Sequence, residues 1–118
     1  SAGLLSAEPH PARGTLFPQP WLASDNGPAQ RMDDRLGRGW RVIVASNQPL
    51  PDPAPRALAD WRIVRLGDAG FRETEGVLAQ WFARHAAIAA IVRPDHYVYG
   101  VASDAAALVR QLAALRLD

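Results

Sequence analysis

The order of the patterned segments in this 118-residue chain predicts a mixed α/β fold. Three observations carry that expectation. Trp40–Ala45 is a nearly continuous apolar run with two valines and an isoleucine, as in a strand covered on both faces. Ile88–Val92 and Tyr97–Val101 read as two strands joined by Arg93-Pro94-Asp95-His96, a loop too short to join anything but antiparallel neighbours. A helical run starts at Ser103 immediately afterwards.

Residues 1–30 carry Pro9, Pro11, Pro18, Pro20 and Pro28, so no regular helix forms there. They are expected to form an extended Pro-rich arm, anchored by Leu16, Phe17, Trp21 and Leu22. The alternative is a short edge strand around 15–22. The domain proper is expected over 31–118, and the chain is read as a fragment of a longer one. Arg31–Leu36 reads as one helical turn ended by Gly37. Adjacent Asp33 and Asp34 diverge on a helix, so a solvated face is expected rather than an acid/base pair. Gly37-Arg38-Gly39 has no third glycine and no preceding strand, so these are turn residues and not a dinucleotide loop.

Four prolines between 49 and 55 make that stretch irregular, with a short helix expected at 54–60. Trp61–Leu66 reads as a second strand, parallel to the first through a crossover. Glu73–His85 is expected to be a helix with Val77, Leu78, Trp81 and Phe82 on one side and His85 closing its last turn. In the hairpin, Pro94 suits the first central turn position, and His96 follows the turn at a position open to φ > 0. Ser103 is the expected N-cap of the last helix, with Asp104 complementing its positive end. Ala105, Leu108, Val109, Leu112 and Leu115 form its expected apolar stripe, leaving Arg110, Gln111 and Arg116 outside it. Strand, short helix, strand, helix, hairpin, helix is the order of a thioredoxin-like sheet, although order alone fits several α/β topologies.

Composition excludes much. There is no Cys, which removes disulfides, thiolate catalysis, dithiol redox chemistry and Cys-based zinc sites. All 13 basic residues are Arg, so Schiff-base and P-loop chemistry are excluded. The net charge of +1 gives no signal for nucleic acid or a membrane surface, and no apolar run is long enough to span a bilayer. A cytoplasmic location is expected. His10, His85 and His96 match no metal-ligand spacing, and no Gly-x-Ser-x-Gly elbow marks a hydrolase.

Three stretches occur in a telling order: Leu16-Phe17-Pro18-Gln19-Pro20-Trp21, Met32–Trp40, and Val92-Arg93-Pro94-Asp95-His96-Tyr97-Val98. From about Thr15 onward the chain resembles the C-terminal domain of class A FAD-dependent aromatic hydroxylases, the group of phenol, hydroxyphenylpropionate and polyketide hydroxylases. The resemblance implies a thioredoxin-like, redox-inert accessory domain. Its partners would be the FAD and substrate domains of a parent monooxygenase, or other subunits in a homo-oligomer. It implies FAD and NAD(P)H for the parent and no cofactor for this chain. Where a redox dithiol would follow the first central strand, the chain has Ser46-Asn47-Gln48. The alternative is a stand-alone, redox-dead binding module. No residue is expected to be catalytic or to hold metal or cofactor. Phe17, Trp21, Tyr97 and Tyr99 are the interface candidates, with Tyr97, Tyr99 and Val101 expected on one strand face. Arg93 is expected to pair with Asp95 or to be solvated.

Overall fold

A computed structural model describes residues 4–37, 39–49 and 61–115. Its elements run β1 (Trp21–Leu22), β2 (Gln30–Arg31), α1 (Met32–Leu36), β3 (Arg41–Val44), β4 (Arg62–Arg65), α2 (Val77–Arg84), β5 (Ala89–Val92), β6 (Val98–Ala102) and α3 (Ala105–Ala114). The expected helix at 54–60 lies outside the described residues.

Four strands form a mixed sheet in the order β4-β3-β5-β6. β3 and β4 are parallel, and β3–β5 and β5–β6 are antiparallel. All four residues of β3 and all four of β5 are buried, as expected of doubly covered strands whose residues are apolar apart from Arg41. Period-two alternation sorts their side chains into two layers. Ile43, Ala90, Val92, Val98 and Val101 meet Leu78, Trp81 and Phe82 of α2, together with Phe17, Leu22, Met32 and Leu36. Val42, Val44, Ala89, Ile91, Tyr99 and Ala102 meet Leu108 and Leu112 of α3.

The N-terminal segment is tied to the edge of this sheet. Ser6 N–H donates to Tyr99 O, Gly14 N–H to Val98 O, Val98 N–H to Thr15 O and Phe17 N–H to His96 O. Phe17 and Leu22 are fully buried in the α2-side core. β1 and β2 pair as a separate two-stranded ladder, so a boundary at 30/31 would cut through β2.

Several sequence expectations need correction. Strands β5 and β6 carry a bulge: Ile91 pairs with Gly100 and Val92 with Val98, leaving Tyr99 as the extra residue. The bulge breaks the period-two phase, so Tyr99 faces α3 while Val101 faces α2, and Tyr97 stands outside at 42% exposure. The three do not share a face. α2 begins at Val77, not Glu73, because Gly76 sits at φ 70° in the left-handed region as its N-cap. Val77 is exposed rather than packed. The Glu73 carboxylate instead accepts from the N–H groups of Leu78 and Ala79, satisfying two free donors of the first turn. Glu73→Ala should therefore cost about 1–2 kcal/mol, read by chemical denaturation.

The N-cap of α3 is Asp104, not Ser103; its carboxylate accepts from Ala107 N–H at 2.8 Å. The buried face of α3 is Ala107, Leu108, Gln111, Leu112 and Leu115. Ala105 and Val109 face out, and Gln111 faces in, donating from Nε2 to Val101 O at 3.0 Å.

Candidate functional site

The three stretches that carry the resemblance meet in space around one carboxylate. Asp33, in the first turn of α1, lies 2.8 Å from Arg41 Nη1 at the start of β3 and 2.9 Å from His96 Nδ1 after the hairpin turn. The Asp33 N–H donates to Gln19 Oε1, and the Met32 N–H donates to Pro20 O. Residues far apart in the chain thus share a single ionic and hydrogen-bonded junction.

Each partner is placed by its local backbone. Gly37, at φ 73°, ends α1 and turns the chain toward β3. Its carbonyl then accepts from Arg41 Nη2 at 2.5 Å. Arg41 is 2% exposed, and burial lowers its pKa while Asp33 acts to raise it. An uncompensated guanidinium there would be costly, so Asp33 neutralises it. The expectation of a solvated Asp33 is corrected; Asp34 is exposed as expected. His96 sits at φ 71°, in the left-handed conformation considered for it from sequence. Its Nδ1 is close to Asp33 Oδ2 but not along the direction of a good hydrogen bond.

A second cluster closes the same turn. Arg93 is 8% exposed, and its guanidinium binds both carboxylate oxygens of Asp95. It also donates to Leu4 O at 3.2 Å and lies 5.8 Å from the Tyr97 ring centroid. Hydrogen bonding from Arg93 lowers the Asp95 pKa. Arg93 is thus paired with Asp95, and it is buried.

Of the interface candidates, Phe17 packs edge-on against Trp81 inside the core, and Tyr99 packs edge-on against Trp40, which stacks on Trp61. Burial raises the Tyr99 pKa. Trp21, under the Arg31 guanidinium at 4.1 Å, and Tyr97 keep large exposed faces.

His10 and His85, which the sequence offered no reason to pair, have ring centroids 5.4 Å apart beside Trp81. Among the described residues no group of three or more His, Cys, Asp or Glu could hold a metal ion. Burial, then His10 and Arg84, lower the His85 pKa. The unfolded chain therefore binds that proton more readily than the folded one. The contribution of His85 to stability should be complete above about pH 6.5 and fall as pH drops below it. Urea denaturation at a series of pH values would show the slope, and His85→Phe should flatten it.

Among the described residues, neither cluster brings together a nucleophile, a base and an oxyanion donor. The Gly37–Gly39 stretch joins a helix to a strand, the reverse of the strand-to-helix turn that cradles a dinucleotide phosphate. These glycines do not fit a flavin or nicotinamide site.

The family profile described as the HcaD C-terminal domain matches residues 14–72 and 66–115. The chain belongs to the HcaD C-terminal domain family. Its curated relatives are much longer. This HcaD C-terminal domain is 35% identical to a probable NADH-specific resorcinol 4-hydroxylase of Rhodococcus jostii (strain RHA1), over 80% of this chain and 20% of the relative. It is 26% identical to the 3-(3-hydroxy-phenyl)propionate/3-hydroxycinnamic acid hydroxylase of Escherichia coli (strain K12 / DH10B), over 79% and 20%. The chain therefore spans about a fifth of the length of these relatives. In fold it is similar to part of aklavinone-11 hydroxylase, solved with FAD and aklavinone. The TM-score there is 0.63 at 22% identity, over 95% of this chain and 25% of the other. OxyS anhydrotetracycline hydroxylase from Streptomyces rimosus gives 0.55 at 18%, over 82% and 18%. The HcaD C-terminal domain is thus the kind of module carried by aromatic hydroxylases. Among its described residues no helix is long and apolar enough to cross a membrane.

Proposed function

We propose that this chain is a redox-inert, thioredoxin-like accessory domain of an FAD-dependent, NAD(P)H-using aromatic-ring monooxygenase. It acts by packing against the FAD and substrate domains of its parent or against other subunits. The observation that carries this reading is the junction at Asp33: the motifs that carry the resemblance meet there through the Asp33–Arg41 ion pair, the Asp33–His96 contact and hydrogen bonds from the α1 backbone, not around a reactive group. The sheet order β4-β3-β5-β6, with one parallel and two antiparallel pairings, supports a thioredoxin-like scaffold. Ser46, Asn47 and Gln48 follow β3 where a redox member would carry its dithiol, so the scaffold contributes shape and surface. We assign residues 1–30 to an arm, of which residues 6–17 close the β6 edge, and residues 31–118 to the domain, with the β1–β2 ladder stitching the two together across that boundary. Trp21 and Tyr97 are the aromatic residues left to face a neighbour. In the parent, FAD would supply the oxygen-activating chemistry from other domains. Mixed with FAD, NADH or NADPH and a phenol, this chain should neither bind the flavin at micromolar concentration nor oxidise the nicotinamide. Saturable flavin binding or turnover by the chain alone would overturn the reading.

A further inference from the structure

Four large apolar side chains stand exposed along one edge of the molecule: Leu4 at 54%, Leu5 at 39%, Leu16 at 61% and Tyr97 at 42%. They are linked through the backbone. Leu16 bridges Tyr97 as an antiparallel pair, which sets their side chains side by side. Arg93 lies beneath the Tyr97 ring and holds Leu4 O. The Leu5 side chain lies over Gly14, two residues before Leu16, where a Cβ would sit 3.7 Å from it.

Backbone hydrogen bonds pin much of this edge. Residues 6–17 are fixed to β6 and its turn by four backbone hydrogen bonds. The guanidinium of Arg93 is itself neutralised by Asp95, so the patch presents apolar surface over a satisfied base. Exposed apolar side chains linked in this way form a candidate interaction surface.

We propose that Leu4, Leu5, Leu16 and Tyr97 form the docking surface for the polypeptide that precedes this domain in its parent enzyme. The inference rests on the accessory-domain reading and deepens it by naming the surface and its occupant. The family is described as a C-terminal domain, and the chain spans about a fifth of its curated relatives. In such a protein the preceding polypeptide reaches the domain through Leu4, which is itself part of the patch. A segment tethered there meets the patch at high effective concentration, so modest apolar contact suffices to seat it. The occupant is therefore an apolar face of the same chain.

The test is hydroxyl-radical footprinting of this 118-residue chain and of the natural protein extended toward its N-terminus. In the extended protein, oxidation of Leu16 and Tyr97 should fall severalfold, as for residues in the water-excluded core of an interface. Leu16→Arg should restore the oxidation of Tyr97 in the extended protein while leaving the melting temperature of the 118-residue chain unchanged. Equal oxidation in both forms would overturn the proposal. So would concentration-dependent dimerisation of the 118-residue chain abolished by Leu16→Arg, which would assign the patch to a second copy. A natural reading frame with nothing ahead of residue 1 would also overturn it. Flavin content of the extended protein separates the two readings. Protection without bound flavin keeps the docking surface and removes the hydroxylase assignment; flavin without protection does the opposite.

Discussion

Gly100→Val should lower the unfolding free energy by about 4 kcal/mol, the sum of an overpacked site and a lost buried hydrogen bond. A Cβ built on Gly100 would lie 2.1 Å from Gln111 Oε1 and 2.8 Å from the Ser6 Cβ. The first neighbour is the end of a side chain, but it is not free to leave. Gln111 is 2% exposed, and its Nε2 is bonded to Val101 O. Moving it breaks that bond and lifts α3 from the sheet. The second neighbour belongs to the segment that caps β6 through the Ser6 N–H. The glycine is thus required for space, at the point where helix and arm both close on the sheet. Adding Gln111→Ala should recover part of the loss, because one of the two collisions disappears, so the pair will be non-additive. Urea denaturation of the two single variants and the double variant measures this.

Asp33→Ala is the second large effect, expected to cost about 3 kcal/mol, toward the lower end for breaking a buried ion pair because Asp33 itself is partly exposed. The loss falls on Arg41, which keeps the Gly37 carbonyl but no counter-charge. It falls also on His96, which loses the carboxylate beside its Nδ1, whereas the bond to Gln19 is made by the backbone N–H of residue 33 and survives. In a domain of this size the melting temperature should drop by about 10 °C. Asp33→Ala combined with Arg41→Met should be milder than Asp33→Ala alone, since no unpaired buried charge remains. If the double variant were the less stable, the Arg41 guanidinium would be contributing through contacts other than Asp33.

The sheet was legible because its strands are patterned locally. The apolar run at β3 marks a doubly covered strand, and the short connection between β5 and β6 allows only an antiparallel pair. The φ > 0 position at His96 was readable from turn chemistry. What escaped depends on events across the sheet. The extra residue in β6 had its one hint in Gly100, since a glycine inside a strand often marks a bulge, and it reverses which face Val101 shares. The phase of α3 was misread because Gln111 counts as polar, whereas its buried side chain has a partner on β6 and room provided by Gly100. α2 starts late because Gly76 is a cap and not a weak helical residue, and Glu73 caps from outside the helix. The junction was visible only as three separate motifs; nothing in their spacing says that Gln19, Asp33, Arg41 and His96 converge.

The account turns on whether that junction holds the domain together or takes part in chemistry. The decisive comparison is Asp33→Ala in the proposed parent hydroxylase, with this domain's melting and the turnover per bound flavin measured on the same sample. The account predicts earlier melting and unchanged turnover at temperatures where the domain stays folded. Unchanged melting with turnover reduced about tenfold, some 1.4 kcal/mol of barrier, would contradict it.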